Sequence, residues 1–180
     1  MGIPKLFLYI FAVALISKFV ARIEYENLRK KEIEMGRGQF PPEILAKYPH
    51  MLPNEVPIWE RFLREHGEEF EGFDYDVHLG EGIEPPPGTP PEIARAAKIL
   101  TQKRVDAVGY KDDEIWIIEV KPYAGISALG QLVGYISMYR EQFKPKERLI
   151  GAVVCEGIDP DIAKLMRRRG YKIFEYPPPE

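Results

Sequence analysis

The sequence predicts an α/β domain, a mixed β-sheet flanked by helices, with a hydrophobic helix ahead of it. Three observations lead there. The apolar runs Ile115–Ile118 and Leu149–Val154 have the β-branched, uninterrupted character of strands covered on both faces. Between them Leu129, Leu132, Val133 and Ile136 recur at i, i+3, i+4 and i+7, which is helical spacing. Strand, helix and strand in succession favour a parallel crossover, the unit of layered α/β sheets. Ahead of all this, Leu6–Val20 is apolar except for Ser17 and Lys18.

The chain has 180 residues and a net charge of −3, enough for one domain with a real core plus an appendage. A single cysteine, Cys155, excludes an internal disulfide framework. His50, His66 and His78 are scattered without metal-ligand spacing, so the sequence offers no zinc site.

Residues 1–23 read as an uncleaved membrane-anchor helix. The apolar stretch is short for a span, but Lys18 can snorkel and Ile23 extends it. Lys18, Arg22, Arg29, Lys30 and Lys31 follow it, which by the positive-inside rule leaves the main domain on the cytoplasmic side. A cleaved signal peptide, giving an exported protein, and a helix packed on protein are the competing readings. Residues 24–53 read as a charged helical stalk and linker, broken by Gly36, Gly38 and Pro41-Pro42.

The domain is expected at 54–180. Asn54 suits an N-cap, and Ile58, Trp59, Phe62 and Leu63 form one helical face. Glu55 falls near the centre of that face, where a carboxylate needs a partner or a task. Its bland reading is a helix-start glutamate favoured by the dipole. Phe73–Leu79 alternates as a strand, with Asp74, Asp76 and His78 on one side and Phe73, Tyr75, Val77 and Leu79 on the other. A proline-rich loop and a short helix from Pro91 lead into a hairpin.

In that hairpin, Lys103–Tyr110 and Glu114–Lys121 are strands joined at Asp112-Asp113. Glu119 and Lys121 share a face because side chains alternate. A two- or four-residue loop sets Asp106 opposite Glu119, with Cβ atoms about 5 Å apart, whereas a three-residue loop would turn Glu119 away. Two carboxylates and an ammonium on one patch suit a hard divalent cation, Mg²⁺ or Mn²⁺, whose shell is completed by water and phosphate oxygens. Pro122 is expected to end the strand, and Gly125–Phe143 is expected to be helical, with Gln131 and Tyr135 as i,i+4 neighbours. Gly130 and Gly134 weaken that helix and permit close approach. Arg148–Cys155 is a strand, Asp159 and Pro160 open another helix, and Tyr171–Tyr176 is the last strand.

The D…ExK hairpin made by Asp106, Glu119 and Lys121, followed by a helix carrying Gln131 and Tyr135, resembles the PD-(D/E)XK nuclease superfamily. The Q-x-x-x-Y pattern resembles its RecB-like branch. Val105 stands where the family motif has proline. The resemblance covers roughly Asn54–Tyr176. It implies a restriction-endonuclease-like core and phosphodiester hydrolysis in DNA, or in RNA. It further implies metal ligation by Asp106 and Glu119, action of Lys121 on the nucleophile, a contribution from Glu55, and contact of Gln131 and Tyr135 with substrate or Lys121. The family also includes inactive members, which leaves open a structural or assembly module of a membrane complex or virus particle. From Glu55 to Glu180, 17 Lys plus Arg face 23 Asp plus Glu, a net of −6. A duplex-binding domain usually has a basic footprint, so a strand end, a single strand or a partner-presented substrate fits better. Protein partners and oligomeric state are not legible.

Overall fold

Five strands form one sheet whose spatial order is the order of the chain: β1 (Gly72–Leu79), β2 (Lys103–Lys111), β3 (Glu114–Ala124), β4 (Arg148–Ile158) and β5 (Lys172–Glu175). This computed structural model describes residues 38–178. The segment read as a membrane anchor and the charged part of the stalk lie outside the described residues. Among those described, no helix is long and apolar enough to cross a membrane.

β1, β2 and β3 pair antiparallel, and β3, β4 and β5 pair parallel, so the sheet is mixed as the sequence suggested. The helices are α1 (Val56–His66), α2 (Pro91–Thr101), α3 (Ile126–Phe143) and α4 (Pro160–Arg168). Each parallel connection is made by a crossover helix, α3 and then α4. α1 covers one face of the sheet through Ile58, Trp59 and Phe62, packed with Phe73, Trp116, Ile118 and Val154. α3 and α4 cover the other through Leu129, Leu132, Ile136, Ile162 and Met166, packed with Ile115, Ile117, Val153 and Cys155. α4 starts as its sequence dictates: Asp159 Oδ1 accepts from the backbone N–H of Asp161 (2.8 Å) and Ile162 (3.2 Å), with Pro160 in the first turn.

Four details depart from the sequence reading. β3 runs through Pro122 to Ala124. Its pairing with β2 ends at Ile118, so the missing proline N–H falls where β3 has no neighbour on that side. Residues 38–53 are no free linker. Phe40 exchanges two backbone hydrogen bonds with Phe73 (3.0 and 2.9 Å), and Tyr48 is buried against Tyr75. The N-cap of α1 is Glu55, not Asn54. Finally, the apolar residues of β1 do not share a face. Asp76 has φ 57°, and past it Val77 and Leu79 join the α3 side while Phe73 and Tyr75 stay on the α1 side. β2 switches at the same rung, between Val105 and Ala107.

Candidate active site

The hairpin turn is the two-residue one. Lys111 pairs with Glu114 across Asp112-Asp113, and the same register continues to Ala107 opposite Ile118. Asp112 takes φ 48°, which a tight two-residue turn requires and which Asp tolerates better than most residues. Beyond Ala107 the ladder stops. There the Asp106 carboxylate, rather than a backbone carbonyl, receives the Val120 N–H (2.8 Å). Asp106 thus sits where β2 and β3 part, and Glu119 and Lys121 sit on the facing edge of β3.

Four of the residues singled out in the sequence meet there. Lys121 Nζ lies 2.7 Å from Glu119 Oε1, 3.2 Å from Glu55 Oε1 and 3.6 Å from Asp106 Oδ2. All three carboxylates are buried, with exposures of 1% for Glu119, 3% for Glu55 and 6% for Asp106. Glu55 is tied at both oxygens, since Oε2 accepts the Leu52 N–H at 2.9 Å. Glu119 is different. Its Oε1 is ion-paired with the Lys121 ammonium, and among the described residues no other donor reaches either oxygen.

The electrostatics follow from burial. Desolvation, then the neighbouring Asp106 charge, pushes the Glu119 carboxyl up to about 8, against the pull of Lys121. Desolvation likewise raises Asp106, opposed by Lys121 and by the Val120 N–H. For Lys121, burial works to lower the pKa, but Asp106 and Glu119 outweigh it and hold the ammonium above its usual value. A lysine so held is suited to orienting and donating rather than to abstracting a proton.

Gln131 and Tyr135 project from α3 to the same place. Gln131 Nε2 donates to the Tyr135 hydroxyl (3.0 Å), and burial raises the tyrosine pKa against that hydrogen bond. Together with the four residues above they line a cleft of roughly 310 Å³. Its remaining walls were not assigned from sequence. Gln102, just after α2, and Lys103 and Arg104, at the start of β2, contribute part of them; His50 and Leu52, ahead of α1, contribute another part. Lys103 and Arg104 could have been found, because they stand three and two residues before Asp106 on its own strand. Nothing in the sequence distinguishes His50 or Leu52 from linker. Arg104 is engaged with Asp76, Nε to Oδ1 at 2.6 Å and Nη2 to Oδ2 at 2.5 Å.

The donor set suits a hard divalent cation: two buried carboxylates side by side, one of them met by no donor other than the Lys121 ammonium among the described residues, on an open cleft. Among the described residues no group of three or more His, Cys, Asp or Glu side chains is placed to hold a metal ion. Two carboxylates, with water and phosphate completing the shell, are within the usual range for Mg²⁺.

No protein-family model matches the sequence, and no curated protein does. Among solved structures, the chain is similar to EndoMS in a complex with double-stranded DNA, at 20% identity and a TM-score of 0.42, covering 76% of this chain and 50% of that one. It is also similar to a repair endonuclease from Pyrococcus abyssi, at 18% identity and a TM-score of 0.42, covering 74% and 50%. A protein of unknown function follows at 18% identity and a TM-score of 0.38, covering 68% and 57%. The chain thus spans about half the length of the first two. Likenesses of this size leave the chemistry of the cleft to be read from its own residues.

Proposed function

We propose that this protein is a Mg²⁺- or Mn²⁺-dependent nuclease of the PD-(D/E)XK type that hydrolyses phosphodiester bonds of DNA. The observation that carries the proposal is Glu119. A buried carboxylate with one ion-pair partner and its second oxygen left unmet is costly, and is retained where it has a task. Here it adjoins a second buried carboxylate and an ammonium on the wall of an open cleft.

In this reading Asp106 and Glu119 hold the cation, which would polarise the phosphoryl oxygens and acidify a bound water. Lys121 donates to the attacking water or to a non-bridging phosphate oxygen and so offsets charge as it develops. Glu55 fixes Lys121, being itself fixed by the Leu52 N–H. Tyr135, held by Gln131, presents a hydroxyl to the same space. Water adds to phosphorus, the bond to the departing strand breaks, and the leaving oxygen takes up a proton. The finer assignment, to the RecB-like branch, rests on the Gln131–Tyr135 pair. The membrane tether is a separate proposal resting on residues 1–23: the protein should sediment with membranes, and alkaline carbonate should not release it.

The test is titration of Mg²⁺ and Mn²⁺ against labelled single- and double-stranded DNA and RNA. Cleavage should require metal and fall by about 10²-fold or more in Glu119→Ala and Lys121→Ala, with both variants folded by circular dichroism. A folded protein that binds no metal and cleaves none of these would instead be a non-catalytic module serving assembly.

A further inference from the structure

Helix α2 is built unlike the others. None of its 11 residues is buried, and none of its side chains enters either apolar layer of the domain. An isolated helix shorter than roughly 12–15 residues is marginal in water, so short helices are held by an apolar face packed on something. α2 has such a face. Ile93, Ala96, Ala97 and Leu100 recur at i, i+3, i+4 and i+7 and form one stripe. The stripe is turned to solvent: Ile93 is 59% exposed and Leu100 76%.

The domain grips α2 elsewhere. The Ile83 N–H donates to the Thr101 hydroxyl (2.7 Å), and Glu84 pairs with Lys98 (2.5 Å). Gly82 lies so close to the Lys98 backbone that an added Cβ would stand 2.2 Å from its carbonyl oxygen. At 3.6 residues per turn, Thr101 and Lys98 fall about 90° and about 150° around the helix from the centre of the stripe. Residues 82–84 therefore clamp the side and back of α2 and leave its apolar face open.

The stripe is also a palindrome. Large side chains stand at its ends and alanines in its middle, so it reads the same in either direction. Two such helices, laid antiparallel about a two-fold axis between Ala96 and Ala97, set each Ile93 against Leu100 of the second copy. The alanines let the two backbones approach. Pairing of one patch with itself requires this self-complementarity. Closing the pair buries no charge, because Glu92, Arg95 and Lys98 all lie off the stripe. A bilayer is a poorer match. Interfacial helices carry rows of Lys and Arg, whereas α2 has two, with Lys98 already paired to Glu84, in a chain of net charge −3. Size limits the strength. A helix of 11 residues is about 16 Å long, so two copies meet over less than the roughly 1,200 Å² of a standard interface, and the association is reversible.

We propose that α2 is a dimerisation helix, pairing antiparallel with α2 of a second copy of this chain through Ile93, Ala96, Ala97 and Leu100. The pairing does not depend on the nuclease reading. It bears on the cleft all the same, because α2 runs directly into Gln102, a cleft residue tied to the Gly80 carbonyl (2.6 Å) and to His78 Nδ1 (3.0 Å). A partner that fixes α2 fixes that wall in both copies.

The test is cross-linking of the full chain by a short bismaleimide, with Ala96→Cys at the crossing and Arg95→Cys on the far side of the helix. The parent chain, whose one cysteine, Cys155, is buried, is the blank. Ala96→Cys should form covalent dimer at least tenfold faster than Arg95→Cys. Adding Leu100→Glu should slow it at least fivefold, and adding Leu100→Met should not. Both change an exposed residue, and circular dichroism checks that both fold. Two acidic chains repel, so added salt should leave the rate unchanged or raise it. Equal rates at the two positions overturn the proposal, as does a rate that falls with salt or one that Leu100→Glu leaves unchanged. An Ala96→Cys thiol that takes a single maleimide but forms no dimer marks an uncovered stripe. One that does neither is covered by a bilayer or by another part of its own chain. Each of these results also overturns the proposal.

Discussion

Glu119 makes the domain's stability depend on pH in a way opposite to most carboxylates. Its folded pKa is raised to about 8, so the folded protein keeps a proton that the unfolded chain gives up near pH 4.5. Stability should therefore fall as pH rises from about 5 to 8, by on the order of a few kcal/mol. Asp106 is shifted the same way, and Lys121, raised above its usual value, does not titrate in this window. Thermal melts in a chelator should show the decline, and Glu119→Gln should flatten it. A divalent cation, which displaces the proton, should raise the melting temperature more at pH 8 than at pH 5. Asp106, Glu119 and Lys121 were legible as a cluster because strand alternation and the length of one turn fix their geometry. His50 and Leu52 were not, since they reach the cleft through a chain path set by tertiary packing.

At the level of single elements, the glycines divide into two kinds. In α3 an added Cβ at Gly130 or Gly134 would have no neighbour within 4 Å among the described residues. Alanine at either should stabilise the folded state by roughly 0.5–1 kcal/mol, seen as a higher denaturant midpoint. In the sheet the opposite holds. A Cβ at Gly109 would stand 2.8 Å from the Phe70 ring, and one at Gly151 2.8 Å from Tyr171. Alanine there should cost about 1–3 kcal/mol by overpacking. Replacing Asp159 by alanine removes the two hydrogen bonds at the start of α4 and should cost about 1 kcal/mol. The strands and helices themselves were readable because their periodicities are strong. The course of β3 past Pro122 was not, because it depends on β2 having already left its side, which is a fact about the sheet and not about the proline.

For the whole molecule, the boundary matters. The sequence places the start of the domain at residue 54, but Phe40 and Tyr48 pack on β1 and its neighbours. A fragment beginning at residue 38 should melt cooperatively. One beginning at 54 should lose several kcal/mol, as expected for removing the buried Tyr48, the half-buried Phe40 and two sheet hydrogen bonds, and should bind a hydrophobic dye. The overall architecture was legible because a parallel crossover and an antiparallel hairpin leave few ways to order the strands. The packing of 38–53 was hidden, since prolines and glycines mark a break in helix and say nothing of where the chain then lies.

The change of face in β1 and β2 has a thermodynamic consequence. β1 feeds Phe73 and Tyr75 into the apolar layer under α1 and Val77 and Leu79 into the layer under α3, and β2 sends Ala107 to the first and Val105, Val108 and Tyr110 to the second. Neither layer can melt without withdrawing contacts from its opposite number, so the two cannot behave as independent cooperative units. Calorimetry on the 38–180 fragment should find one heat-absorption peak whose directly measured enthalpy equals the van't Hoff value. Native-state hydrogen exchange should show amides of β1 and of β3 opening at one common free energy.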